Sequence, residues 1–406
     1  MEVHLEGTGG PGGWPEPGCG CASCGRLPSG HRRPASIVVD GAVRLPRDLG
    51  PGITTGPTGG VELGSHGWEI TGRGGERVLY APGPLHRAAQ PAPSPAAPFD
   101  LVLADLLDEP GRLGDLRHRG LVTPATRVIA VGLDHRMPTE AELARRLDFW
   151  GAGAVPDGTV LSLTPGAFSG LHPVRETTRV AVVSGAQRRP AGLPPRTLLL
   201  GGSRSGKSEE AEMRVAGEPH VTYVATGPTG GDDPAWLARV RAHRLRRPAH
   251  WRTAETTDLV AILGDPPGTL LIDGLGTWLA AVFDECGAWP EAPDSHAAAH
   301  EPHHGRSHDT EQEPGGDAEG SRVETEGSDR DARDRVARRC DELVAAWRQA
   351  QGPVVAVSDE VGLGVVPASA SGRVFRDALG RLNQRLARES EDVALIVAGR
   401  VVPLPV

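Results

Sequence analysis

The chain has 406 residues and a formal net charge of −9. Such a length exceeds one ordinary domain and predicts two or three. The negative balance gives no electrostatic ground for a nucleic-acid partner. No window approaches the roughly eighteen apolar residues of a membrane span, and the opening MEVHLEGTGG lacks the basic and apolar parts of a signal peptide. The expectation is a cytoplasmic protein. Its five cysteines do not form a disulfide framework. Arginine is abundant and lysine nearly absent, a bias that fits a GC-rich coding genome better than any structural demand.

Taken in order, the chain first gives Cys19-Gly20-Cys21-Ala22-Ser23-Cys24. This C-x-C-x₂-C run is tight enough for three thiolates to share one structural Zn²⁺. A fourth ligand must come from elsewhere, and His31 is the nearest candidate. The alternative is a set of free thiols in a loop. Ala35–Asp40 and Ala42–Leu45 read as paired strands around a turn at Asp40-Gly41. Residues 49–66 read as loop, Glu76–Tyr80 as a strand, and Ala88–Pro98 as a Pro/Ala linker. Asp100–Ala104 and Thr126–Val131 are apolar runs of strand length. Thr139–Trp150 has helical spacing, with Thr139 as cap and Leu143, Leu147 and Trp150 on one face. The mixture predicts an α/β or α+β unit.

Residues 1–170 resemble the metallo-β-lactamase fold. The resemblance rests on Thr8-Gly9-Gly10, Trp14-Pro15, the three cysteines and Asp134-His135-Arg136. It implies an αβ domain, here shortened, with a metal-dependent hydrolase as its ancestral activity. A hydrolase of that fold binds metal through H-x-H-x-D-H, and none of the fifteen histidines stands in such a pattern. Only His135 is left as a ligand, and a catalytic metal needs about three. The resemblance therefore implies a fold retained with its hydrolase site eroded, in a scaffold or docking role.

Residues 171–195 have linker composition, notably Arg188-Arg189-Pro190-Ala191-Gly192-Leu193-Pro194-Pro195, with Thr178–Val183 as a short strand. The second domain, 196–406, opens on an apolar strand, Thr197-Leu198-Leu199-Leu200. Gly201-Gly202-Ser203-Arg204-Ser205-Gly206-Lys207-Ser208 follows, the eight-position phosphate-loop pattern. Glycines let backbone N–H groups turn in around a phosphate, and the helix that follows points its positive end at the same anion. Lys207 reaches the β- and γ-phosphates, and Ser208 ligates nucleotide-bound Mg²⁺.

His220–Ala225 is a second strand. Strand C-termini line the ligand crevice of an open parallel sheet, which places Ala225 and Thr226 near the nucleotide. Asp233–Leu245 reads as a basic helix carrying Arg239, Arg241, His243 and Arg244. Thr269–Asp273 is a third strand whose terminal Asp273 holds Mg²⁺ in a phosphate-loop enzyme, or serves only as a helix cap. Residues 287–333 are nearly devoid of apolar side chains and carry His296, His300, His303, His304 and His308, which predicts a disordered, solvated insertion. Helix resumes near Asp331. Pro353–Ser358 is a strand, Arg373–Ala387 a helix, and Val393–Ala398 the last strand.

This half resembles the bifunctional adenosylcobinamide kinase/adenosylcobinamide-phosphate guanylyltransferases. The matching segments are Gly201–Ser208, Tyr223–Thr226, Arg239-Val240 with His243, Arg247-Pro248, Trp251, Thr253 and Glu255, Leu271–Asp273, Ser358–Pro367, Phe375–Asp377, Gly380-Arg381 and Asn383–Arg385. The resemblance implies a RecA-like phosphate-loop domain with a mostly parallel sheet flanked by helices. It also implies two reactions. ATP or GTP phosphorylates adenosylcobinamide, and GTP then donates GMP to that phosphate through a guanylyl-histidine, releasing pyrophosphate. The histidine matches His243, with His250 as rival, and Glu255 and Asp273 contact the guanine nucleotide or its metal. The family's usual Asn stands as Asp359 here, and another falls at Ala281. A homotrimer is implied as the assembly. The competing readings are another phosphate-loop kinase or ATPase, and an N-terminal hydrolase as the main activity.

Overall fold

The computed structural model describes residues 1–46, 60–83, 97–163, 192–227, 241, 247–290 and 318–405, with backbone alone for 318–329. The chain divides into two compact units. One comprises Met1–Leu193, Glu212–Val221 and Leu245–Arg252, the other Pro194–Ala211, Thr222–Arg244 and Thr253–Val406.

The first unit holds two sheets. Its strands are β1 (Glu2–Gly7), β2 (Ser36–Val39), β3 (Val43–Leu45), β4 (Gly60–Gly64), β5 (Gly67–Thr71), β6 (Arg77–Ala81), β7 (Leu101–Ala104), β8 (Arg127–Ala130) and β9 (Thr159–Ser162), with helices α1 (Gly111–His118) and α2 (Glu140–Phe149). One sheet has the order β3-β2-β1-β9, the other β4-β5-β6-β7-β8. Alternation along the strands sorts the side chains into two cores. Val3, Leu5 and Ile37 of the first sheet meet Val78, Leu101 and Leu103 of the second. Leu79, Val102 and Val128 point the other way, to Leu113 and Leu116 of α1 and Leu143 and Leu147 of α2. Burial on both faces is why β7 reads as an unbroken apolar run. Thr139 caps α2 as predicted, its hydroxyl accepting from Glu142 N at 3.1 Å.

Several expectations need correction in this unit. Gly60–Gly64 pairs with Gly67–Thr71 as a hairpin, so the end of the predicted 49–66 loop is strand. β1, β9 and α1 were not expected from the sequence pattern. Most of the predicted 171–195 linker, the strand at 178–183 and most of the 88–98 stretch lie outside the described residues.

The second unit is a seven-stranded, mostly parallel sheet with helices. Its elements are β10 (Arg196–Gly201), α3 (Lys207–Val215), β11 (Val221–Ala225), β12 (Arg252–Glu255), α4 (Leu259–Gly264), β13 (Thr269–Asp273), α5 (Leu275–Cys286), α6 (Ala318–Gln349), β14 (Val354–Asp359), α7 (Ala370–Arg388), β15 (Asp392–Val397) and β16 (Arg400–Leu404). The strand order is β12-β11-β13-β14-β10-β15-β16. β14 runs parallel to both β10 and β13, and β16 pairs antiparallel with β15 at the edge. In α7, Leu379, Leu382 and Leu386 follow helical spacing and are fully buried. Each contributes about 1.5–3 kcal/mol of burial.

The predicted insertion is shorter than expected. Ala288 is buried and Trp289 stacks on Phe283 at 4.7 Å, so the chain just past α5 packs on the core. Helix α6 begins at Ala318 rather than near Asp331. Residues 291–317, including the five clustered histidines, lie outside the described residues. No helix among the described residues is long and apolar enough to cross a membrane.

Candidate nucleotide site and cysteine cluster

Strand β10 delivers the glycine-rich loop at its carboxyl end. Two positions there need glycine. A Cβ on Gly201 would come 2.7 Å from the Ile396 carbonyl, and Gly206 takes φ +97° beside Gly399. The Gly399 amide donates to Ser205 O at 2.8 Å and ties the loop to the β15–β16 turn. Arg204 adopts φ +57° within the loop. Gly202, Ser203 and Arg204 are exposed, while Ser205 through Ser208 are half-buried.

Lys207 is the only lysine in the chain. Its ammonium donates to Gly202 O at 3.0 Å and pairs with Asp359 Oδ1 at 2.8 Å. Ser208 Oγ donates to Asp273 Oδ1 at 3.1 Å, and the Tyr223 hydroxyl donates to the other carboxylate oxygen. The sheet order explains these meetings. Gly201 ends β10, Asp359 ends β14 in register with it, and Asp273 ends β13 on the far side of β14. A hydroxyl and a carboxylate in contact form a hard oxygen pair, the donor type that suits Mg²⁺.

Other predicted residues fare differently. Thr226 is 1% exposed, and its hydroxyl engages Gly274 O at 2.6 Å and Thr277 Oγ1 at 2.7 Å, so it braces the turn between β13 and α5. Ala225 O accepts from Thr256 N at 3.1 Å. Glu255 stands exposed at the end of edge strand β12. His243 and most of its predicted helix lie outside the described residues. His250 belongs to the first unit, where it stacks on His118 at 5.7 Å and burial lowers its pKa. The contact of Lys207 with Asp359 was missed by sequence reasoning, although Asp359 stands out in the sequence as a departure from the family pattern.

The cysteine cluster has a different fourth member from the one expected. Sγ of Cys19, Cys21 and Cys24 and a ring nitrogen of His135 all lie within 4.8 Å of one another. Cys24 Sγ is 3.7 Å from His135 Nδ1. His31 is committed elsewhere, at 2.8 Å from Glu140 Oε1. The cluster is braced from behind. Trp14 Nε1 donates to Ser23 Oγ at 3.0 Å, and Ser23 Oγ donates to Met137 O at 2.5 Å, which joins the cysteine loop to the turn that bears His135. Among the described residues this is the one group of three or more such side chains that could hold a metal. Nearby, Arg136 pairs with Asp105, Asp108 and Asp134 at 2.6–2.8 Å, so these carboxylates are tied to one guanidinium.

Comparison with known proteins matches residues 197–404 to a family described as cobinamide kinase / cobinamide phosphate guanyltransferase. The chain is 33% identical over 207 residues to the bifunctional adenosylcobalamin biosynthesis protein CobU of Salmonella typhimurium, covering 50% of this chain and 95% of that protein. It is 30% identical over 206 residues to CobU of Escherichia coli, with 50% and 95% covered. Against the bifunctional adenosylcobalamin biosynthesis protein CobP of Pseudomonas aeruginosa it is 33% identical over 217 residues, with 52% and 96% covered.

Proposed function

The chain belongs to the cobinamide kinase / cobinamide phosphate guanyltransferase family, and we propose that its second unit performs both transfers at one nucleotide site built on Gly201–Ser208. It is a bifunctional transferase of cobalamin biosynthesis, with kinase and guanylyltransferase activities. The observation that supports the site is the 3.1 Å contact of Ser208 Oγ with Asp273 Oδ1 beside the phosphate loop.

In the first reaction the aminopropanol hydroxyl of adenosylcobinamide attacks the γ-phosphorus of ATP or GTP, and the nucleoside diphosphate leaves. The loop amides and Lys207 hold the β- and γ-phosphates while charge moves to the leaving oxygen. Ser208 and Asp273 would hold Mg²⁺, which supplies charge neutralisation on the phosphates. In the second reaction a neutral imidazole nitrogen of His243 attacks the α-phosphorus of GTP, forming an N–P bond as pyrophosphate leaves. An oxygen of adenosylcobinamide phosphate then takes the GMP group and frees the histidine, giving adenosylcobinamide-GDP. Glu255 contacts the guanine nucleotide or its metal. His243 is assigned from its place in the matched sequence. The assembly proposed with it is a homotrimer, which sedimentation of the purified protein tests against a monomer.

The first unit is proposed to be a metallo-β-lactamase-like domain that has lost hydrolysis and serves as scaffold or docking module. Cys19, Cys21, Cys24 and His135 would hold one Zn²⁺ there. Four protein donors close the coordination sphere and leave no position for a reacting water, so the role is structural.

The nucleotide-site assignment is tested by incubating full-length protein with adenosylcobinamide, GTP and Mg²⁺ and following products by mass spectrometry. Adenosylcobinamide phosphate and then adenosylcobinamide-GDP are expected. Asp273→Asn is expected to slow both steps by about 100-fold, the scale for losing one electrostatic contact to a transferring phosphoryl group. A full-rate Asp273→Asn enzyme would remove Asp273 from the site.

A further inference from the structure

We infer that Asp359 competes with the nucleotide phosphates for Lys207 and thereby sets how tightly this enzyme binds its nucleoside triphosphate. The inference rests on the reading of Gly201–Ser208 as the nucleotide site. Asp359 Oδ1 lies 2.8 Å from Lys207 Nζ, and the Lys207 side chain is only 13% exposed. The same ammonium is the group that reaches the β- and γ-phosphates in a loop of this pattern. A triphosphate therefore gains Lys207 only by weakening its ion pair with Asp359.

The position of Asp359 is fixed from several sides. It ends β14 in register with Gly201, the first loop residue. Its carbonyl accepts from Asn383 Nδ2 at 3.1 Å, and Asn383 is 3% exposed and also takes the Ser358 hydroxyl at 2.6 Å. The next amide, Glu360 N, donates to Gly201 O at 3.0 Å. Its second carboxylate oxygen lies 2.9 Å from where a Cβ on Gly276 would stand, so it packs closely against the first turn of α5. The backbone of Asp359 is thus held at the loop by strand pairing and a buried amide, and its carboxylate, paired with Lys207, adds negative charge where phosphates must sit. A partly exposed ion pair of this kind is worth a small, measurable amount of binding. Asp359 is thus a positioning residue that acts through Lys207.

The experiment is a double-mutant cycle on GTP affinity, read by calorimetry with the full-length protein. Asp359→Asn keeps the shape and removes the charge. It is expected to tighten GTP binding by about fivefold and to lower KM for GTP more than it changes kcat. In a Lys207→Met background the same substitution should change affinity by less than about twofold. Glu360→Gln, which removes a neighbouring charge whose carboxylate accepts from Gly362 N, should leave affinity within about twofold of wild type. Unchanged or weaker binding by a folded Asp359→Asn protein overturns the inference. An equal gain in the Lys207→Met background also overturns it, because the effect would then be general repulsion. If Lys207→Met itself leaves GTP affinity untouched, the nucleotide-site reading fails as well, which separates the two failures.

Discussion

Lys207, Ser208 and the loop glycines were legible because their chemistry is written in eight consecutive residues. What Lys207 touches was not legible, since Asp359 reaches it only through the pairing of β10 with β14. The cysteine cluster repeats the lesson. His31 is near in sequence yet bound to Glu140, and His135 arrives from the turn before α2. Thr226 stands at the end of β11 as expected of a crevice residue, and its hydroxyl engages Thr277 and Gly274. The zinc proposal belongs to this scale. Elemental analysis of the purified protein is expected to find about one zinc per chain. Cys24→Ser and His135→Ala should lose it, while His31→Ala should keep it. A metal-replete His135→Ala variant, or loss of zinc on changing His31, would contradict the tetrad.

At the scale of elements, the buried parallel strands were the easiest to read. β13 spans Thr269–Asp273 as predicted, because burial on both faces leaves an unbroken apolar run. Edge elements were harder. β16 is mostly exposed and contains Pro403, which an edge strand tolerates and a sequence pattern counts against. The early start of α6 has a similar cause, for its first turns are polar and give no hydrophobic period. Between β10 and β15, Arg196 is clamped to Glu391, whose oxygen accepts from Arg196 N at 2.9 Å and Nε at 3.2 Å. The Arg196 hydrogen bond holds the Glu391 carboxyl below its usual value. A depressed carboxyl pKa stabilises the fold above the unfolded value of about 4.3, and that contribution is lost as pH falls through the folded value. Glu391→Gln is expected to lower stability at pH 7 by no more than about 1 kcal/mol, given the partial exposure of the pair. In denaturation curves the difference from wild type should begin to shrink as pH falls below about 4.3 and vanish only once the pH is below the depressed folded value. A deficit that persists unchanged in acid would assign the loss to packing instead.

For the whole molecule, the two halves differ in how far sequence carries. The family match spans residues 197–404, so the second unit has relatives to define its chemistry, and its motifs fall at strand ends around one loop. Met1–Leu193, the greater part of the first unit, lies outside that match and has its own two-sheet core and a braced thiol cluster. On the function proposed above, a covalent guanylyl group on His243 would separate this enzyme from a generic phosphate-loop kinase. The most direct measurement is incubation of the full-length protein with α-³²P-labelled GTP, Mg²⁺ and no cobinamide, followed by denaturing electrophoresis. Wild type is expected to retain a label that is labile in acid and stable in base, and His243→Ala is expected to retain none. Label persisting on His243→Ala, or no label on a wild-type enzyme that still makes adenosylcobinamide-GDP, would contradict the account.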